Sequence, residues 1–210
     1  MNAHFIASHL LEDEDEVKDL LLGAFDSAVD KMSAEEAYDL ALDGKRTPIT
    51  DFAVLKDPGW AFGYSSNIIM GRWPEAEPVI SQDPHSAFRY ARDVIQGRWP
   101  EAEPVISQDP RSAFRYARNI IKGRWPEAEP VISQSPEWAY YYACDVIGDR
   151  WLEAEPVIMQ NPQCAYDYAR DVVQGRWPEG ENAIAKDRAN AYSYARVFCN
   201  GRWPEGGIIA

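Results

Sequence analysis

The chain has 210 residues, 46% of them hydrophobic and 26% charged, a composition that excludes general disorder and suffices for one substantial core or two small ones. A formal net charge of −13 opposes binding to a nucleic-acid backbone, which takes clustered Lys and Arg. No apolar run approaches the roughly 20 residues of a membrane span, and residues 1–11 lack the pattern of a secretion signal. Cys144, Cys164 and Cys199 are odd in number and lack metal-ligand spacing, so the expectation is a reducing, cytoplasmic setting without disulfides.

The first feature in chain order is a run of five acids, Glu12, Asp13, Glu14, Asp15 and Glu16. It has two readings: a solvated helix start that complements the helix dipole, or a mimic of nucleic-acid phosphates that occupies a basic groove on another protein. Val17, Leu20, Leu21, Ala24, Phe25, Ala28 and Val29 follow with helical spacing and predict an amphipathic helix. Ser33 and Glu36 have capping-box spacing for a second helix that ends near Gly44. Acidity is concentrated here: residues 1–70 hold 14 Asp and Glu against 5 Lys and Arg, whereas residues 71–210 hold 20 against 16. Ala37, Tyr38 and Ala41 echo a pattern repeated downstream, so residues 1–44 are expected to form a diverged helical cap.

From residue 45 onward the chain is periodic. Gly-Arg-Trp opens at Gly71, Gly97, Gly123, Gly175 and Gly201, with Asp149-Arg150-Trp151 in the remaining place, a period of 26 residues. Residues 71–96 and 97–122 differ at only four positions, and residues 45–70 are a degenerate copy in the same register. The copies are 45–70, 71–96, 97–122, 123–148, 149–174, 175–200 and a partial 201–210. In each, Ala113, Phe114, Ala117, Ile120 and Ile121 or their equivalents form one face of a long helix. Asp83, Asp109, Ser135, Asn161 and Asp187 are its expected N-caps, and the following glycine is its expected left-handed stop. Trp99 to Gln108 predicts a shorter helix with an irregular start, because Pro104 crowds its first turn. The copy with Asn182 at that place should be the most regular. Two helices per 26 residues, neither able to bury its apolar face alone, predict an all-α solenoid. The last long helix, with Ala191, Tyr192, Ala195, Phe198 and Cys199, lacks a full layer beyond it, so Ile208 and Ile209 are expected to cover that face or to mediate homodimer formation.

Arg72, Arg98, Arg124, Arg150, Arg176 and Arg202 precede the repeated tryptophans, and repetition in every copy favours pairing with the short-helix glutamates over an anion-binding ladder. The tryptophans and the tyrosines from Tyr64 to Tyr194 are expected in the core. Trp60 and Trp138 share one position in the repeat and are candidate exposed contacts. His85, Arg111, Glu137, Gln163 and Ala189 occupy another, where the copies vary, and form a candidate charge-mixed partner-binding row. Repeated carboxylate pairs such as Glu75 and Glu77 do not make one special acid/base environment, and His4, His9 and His85 lie apart, so no catalytic site, metal or cofactor is expected.

The string Gly-Arg-Trp-Pro-Glu-Ala-Glu-Pro, followed by Asp-Pro and Ala-Phe-Arg-Tyr-Ala-Arg-Asp-Val-Ile, resembles short helical tandem repeats in proteins of tailed bacteriophages and prophages. The resemblance covers residues 45–205 and implies no activity. What it implies is a protein of the host cytoplasm that binds and modulates a host protein. The leading expectation is therefore a non-enzymatic, protein-binding solenoid, with a nucleic-acid mimic that blocks a nuclease or DNA-binding protein as the alternative.

Overall fold

The computed structural model describes the backbone of residues 14–207 and side chains from residue 22 onward. The described chain is all-helical, with no strand, and forms an all-α repeat solenoid. It divides between Ile80 and Ser81 into two compact units.

The N-terminal unit opens with α1 (Glu14–Lys31), α2 (Ala34–Leu42) and α3 (Pro48–Ala53), the last followed by a 3-10 turn at Val54–Lys56. Then come α4 (Pro58–Tyr64), a π-helical turn at Ser65–Ile69, and α5 (Glu77–Ile80). Ser33 Oγ accepts the Glu36 N–H, as the capping spacing predicts. A complete reciprocal box forms elsewhere, between Thr47 and Thr50 at the start of α3. The amphipathic helix exists as α1, and the described part of its expected face is thinly covered: Ala24 is exposed and Phe25, Ala28 and Val29 are half-buried. Its described residues make two kinds of contact with the elements that follow. Phe25 meets Phe52 of α3 edge to face at 5.5 Å, and Lys56 Nζ donates to the carbonyls of Val29, Asp30 and Met32 at 2.6 to 3.1 Å. An ammonium at that place satisfies orphan carbonyls and meets the negative end of the dipole.

In the C-terminal unit the long helices are α6 (Pro84–Tyr90), α8 (Pro110–Tyr116), α10 (Pro136–Tyr142), α12 (Pro162–Tyr168) and α14 (Arg188–Phe198). The short helices are α7 (Glu103–Ile106), α9 (Glu129–Ile132), α11 (Glu155–Ile158) and α13 (Pro178–Ile184). Each long helix but the last packs against the next long helix and against the short helix that follows it. Every expected N-cap is in place: Asp83, Asp109, Ser135, Asn161 and Asp187 each accept a backbone N–H from three residues on, at 2.7 to 3.5 Å. The proline at the first helical position has no N–H to lose there. Short helices begin with a turn and become helical only at the glutamate before the proline, whereas α13, with Asn182, runs regularly from Pro178.

The ends of the long helices differ from expectation in two ways. Seven α-helical residues give way to a five-residue π-helical turn in every copy but the last, as at Ala117–Ile121. Those turns all carry a β-branched pair at their end (Ile68-Ile69, Val94-Ile95, Ile120-Ile121, Val146-Ile147, Val172-Val173), and α14, with Phe198-Cys199 there, stays α-helical. Crowding of β-branched side chains against the preceding turn favours the wider spiral. The left-handed residue is then Met70, Gln96, Lys122, Gly148 or Gln174, with φ between 53° and 71°, one position before the predicted glycine. The Ala117 carbonyl accepts from both Lys122 and Gly123 there, at 2.7 and 3.3 Å.

At the far end, Asn200 and Gly201 are both left-handed, and Trp203 covers Tyr194 at 4.9 Å between ring centroids. Ala191 and Ala195 are buried as expected, but Tyr192 is exposed with Arg196 over its ring at 5.8 Å. Its place directly after Ala191 puts it off the packed stripe. The expected cover, Ile208 and Ile209, lies outside the described residues, as do Glu12 and Asp13.

Candidate functional site

The most repeated residues of the chain meet in a polar node beneath each layer. Arg98 Nε and Nη2 donate to the two carboxylate oxygens of Glu103 at 2.8 Å, a two-pronged match of planar groups. Tyr116 donates its hydroxyl to the same carboxylate at 2.9 Å and accepts the Trp99 N–H at 2.7 Å. Its ring packs against Trp125 of the next copy at 5.1 Å. The constellation returns at Arg124, Glu129 and Tyr142, at Arg150, Glu155 and Tyr168, and at Arg176, Glu181 and Tyr194. In the N-terminal unit Arg46, Asp51 and Tyr64 repeat it, with Thr47 where later copies have tryptophan. The Arg98 hydrogen bond, opposed by partial burial, holds the Glu103 carboxyl below the usual carboxylate range, and Arg124 does the same for Glu129. Burial pushes the Tyr116 hydroxyl up to about 12, so it stays a donor at every physiological pH. Arg72, Arg98, Arg124, Arg150 and Arg176 are thus occupied by the glutamates of their own copies, and each complete node ties a short helix to the long helix of its copy.

The candidate row lies outside this machinery. His85, Arg111, Glu137, Gln163 and Ala189 are all exposed, each at the second position of a long helix. Arg111 stands over the Trp138 ring at 6.0 Å, and Gln163 Nε2 donates to Asp167 at 2.8 Å. Trp60 and Trp138 are half-buried, not the free exposed contacts the sequence implied. Trp60 packs on Tyr38 at 5.1 Å, and Trp138 stacks on Phe114 of the preceding copy at 5.8 Å. Both bridge to an aromatic of the layer before, whereas Ser86, Ser112, Cys164 and Asn190 at the same position are buried. Tyr141 joins Trp138 and Phe114 at 5.8 and 6.0 Å with 38% of its surface exposed. The result is an aromatic patch across α8 and α10.

Beside that patch lies a cationic feature that the net charge of the chain conceals. His85, Arg89 and Arg92 on the α6 copy, and Arg111, Arg115 and Arg118 on the α8 copy, have i, i+4, i+7 spacing and form one stripe per helix. Arg92 is paired with Asp93 at 2.6 Å and Arg118 with Asp145 at 3.3 Å. Arg111 and Arg115 make no ion pair among the described residues. Partial burial, then Arg111 and Arg92, lowers the pKa of Arg115. His85 is lowered by burial and then by Arg89, Arg111 and Arg115 against an opposing Asp83, which leaves it neutral at pH 7. Like charges crowd here, inside a chain of net charge −13.

Elsewhere the chemistry is spare. The described residues contain no group of three or more His, Cys, Asp or Glu able to hold a metal. Burial pushes the Cys164 thiol up to about 11 and raises Cys144 and Cys199, so none is a thiolate nucleophile near neutral pH. The N-terminal unit has a cleft of about 600 Å³ lined by Arg46, Phe52, Leu55, Ile69 and Trp73 among others. It opens where Phe52 and Leu55 stand in place of the proline and serine of the next three copies. The backbone of Glu14, Asp15 and Glu16 forms the first turn of α1, and their side chains lie outside the described ones. No helix among the described residues is long and apolar enough to cross a membrane. No protein-family model, curated protein or solved structure matches the chain.

Proposed function

We propose that the chain is a non-enzymatic repeat scaffold that binds another protein through the outer edge of its long helices, centred on His85, Arg111, Glu137, Trp138 and Gln163. One observation carries this reading: the repeated Arg, Glu and Tyr residues satisfy one another in the nodes, while the varying row His85, Arg111, Glu137, Gln163 and Ala189 faces solvent next to a crowded cationic stripe, half-buried Trp138 and exposed Tyr141. Interfaces draw on Trp, Tyr and Arg in this way. The resemblance to phage repeats supports a host protein as partner and the host cytoplasm as the setting, in keeping with three free thiols among the described residues. The test is paired affinity isolation from the natural host with the wild-type chain and with Arg111→Glu/Glu137→Arg. The expected result is a protein enriched by the wild type and lost with the variant, at equal melting temperature. Identical captures by both would overturn the placement on this edge.

A further inference from the structure

We infer that this edge takes up an extended acidic peptide segment closed by an apolar residue, its carboxylates on Arg111 and Arg115 and its apolar end on Trp138 and Tyr141. The inference rests on the protein-binding reading and specifies its ligand. Arg111 and Arg115 make no ion pair among the described residues, and Arg92 of the preceding copy adds like charge beside Arg115, so an incoming carboxylate relieves repulsion as well as forming new bonds. The next layer presents no such stripe: its equivalents of Arg111, Arg115 and Arg118 are Glu137, Tyr141 and Cys144. The surface therefore runs from cationic over α6 and α8 to aromatic over α10, where Arg111 already contacts Trp138.

Size argues for a short peptide over a long polyanion. Neighbouring helix axes lie about 9 Å apart, and an extended chain advances about 3.3 Å per residue. Some six residues thus span α6 to α10, with acids over the first two helices and the apolar residue over the third. A nucleic acid continuing past the patch would meet the net negative charge of the chain.

The experiment is a fluorescence-anisotropy titration of the full chain. The probe is a labelled octapeptide of six alternating Asp and Glu residues closed by Trp-Leu; comparison probes carry Lys for the acids, Ser-Ser for Trp-Leu, or are oligothymidylate. Saturable binding of the acidic probe is expected, weakening severalfold between low and physiological salt and tenfold or more in Arg111→Glu/Arg115→Glu, with Arg115→Gln as a milder variant should the double one melt early. Trp138→Ala should weaken the Trp-Leu probe and leave the Ser-Ser probe unchanged. Equal binding of the Lys probe, undiminished binding by a folded arginine variant, or tighter binding of oligothymidylate would each overturn the inference. If the acidic probe fails while affinity isolation still yields a protein lost with Arg111→Glu/Glu137→Arg, the peptide chemistry alone is wrong; failure of both removes the binding edge itself.

Discussion

At Lys122 and Gly123 the structure exchanges the roles that the residue types imply. Lys122 is left-handed at φ 59°, a region that costs an L residue about 1 to 2 kcal/mol, while Gly123 lies outside that region, with open space where a Cβ would stand. The fourth copy demonstrates the point, because Gly148 takes the left-handed place and Asp149 fills the other. Gly123→Ala should therefore change stability by under about 0.5 kcal/mol, and Gly148→Ala should cost about 1 kcal/mol. Equilibrium urea unfolding of the two variants distinguishes the positions, and a larger loss at Gly123 would contradict the assignment. Trp125 is 4% exposed and packed on Tyr116, so Trp125→Ala should cost about 3 to 5 kcal/mol. Exposed Glu137→Ala should stay within about 0.5 kcal/mol. Equal thermal shifts for those two would place the tryptophan at the surface.

The period, the two-helix layer, the N-caps and the late start of the short helices were legible because each follows from residue types a few positions apart. The π-helical turns were not, since they depend on which carbonyl a given N–H selects, and apolar spacing alone does not record that choice. The cationic stripe was legible as arginines at i, i+4 and i+7 but was hidden by averaging charge over a chain of −13. The polar node shows what the arginine repeat is for, and its chemistry sets a pH dependence. The Glu103 and Glu129 carboxyls titrate lower in the folded chain than unfolded, first through Arg98 and Arg124. Their stabilising contribution is thus complete above about pH 4.5 and lost as pH falls toward their folded values. Denaturant midpoints at pH 7, 4 and 3 should fall in that order, and less steeply in Glu103→Gln/Glu129→Gln. An unchanged pH slope would show that these carboxylates carry no linked protons. Tyr116→Phe removes the acceptor of the buried Trp99 N–H and should cost about 1 to 3 kcal/mol.

For the whole molecule, a layer that contacts only its neighbours makes stability a sum of layer and junction terms. Residues 97–122 can be excised with little change of junction, because Gln96 then meets Gly123 as it now meets Gly97, and both residues before the joint are left-handed. The node of that copy leaves intact as a set, since Arg98, Trp99, Glu103 and Tyr116 all lie within the excised segment. The contacts broken with the next copy include the stacking of Tyr116 on Trp125 and of Phe114 on Trp138, and Tyr90, whose ring now packs on Trp99 at 5.1 Å, and Phe88 stand at the equivalent positions to remake them. The shortened chain should therefore keep its helical circular dichroism per residue and a cooperative melt, with a smaller urea m-value because less surface is exposed on unfolding. Removing residues 97–109 alone would strand Tyr116 without Trp99 and Glu103 and leave two long helices with no short helix between them. That variant should lose helicity and cooperativity, and a 13-residue deletion that melted as sharply as the 26-residue one would show that the folding layer is half the size argued for.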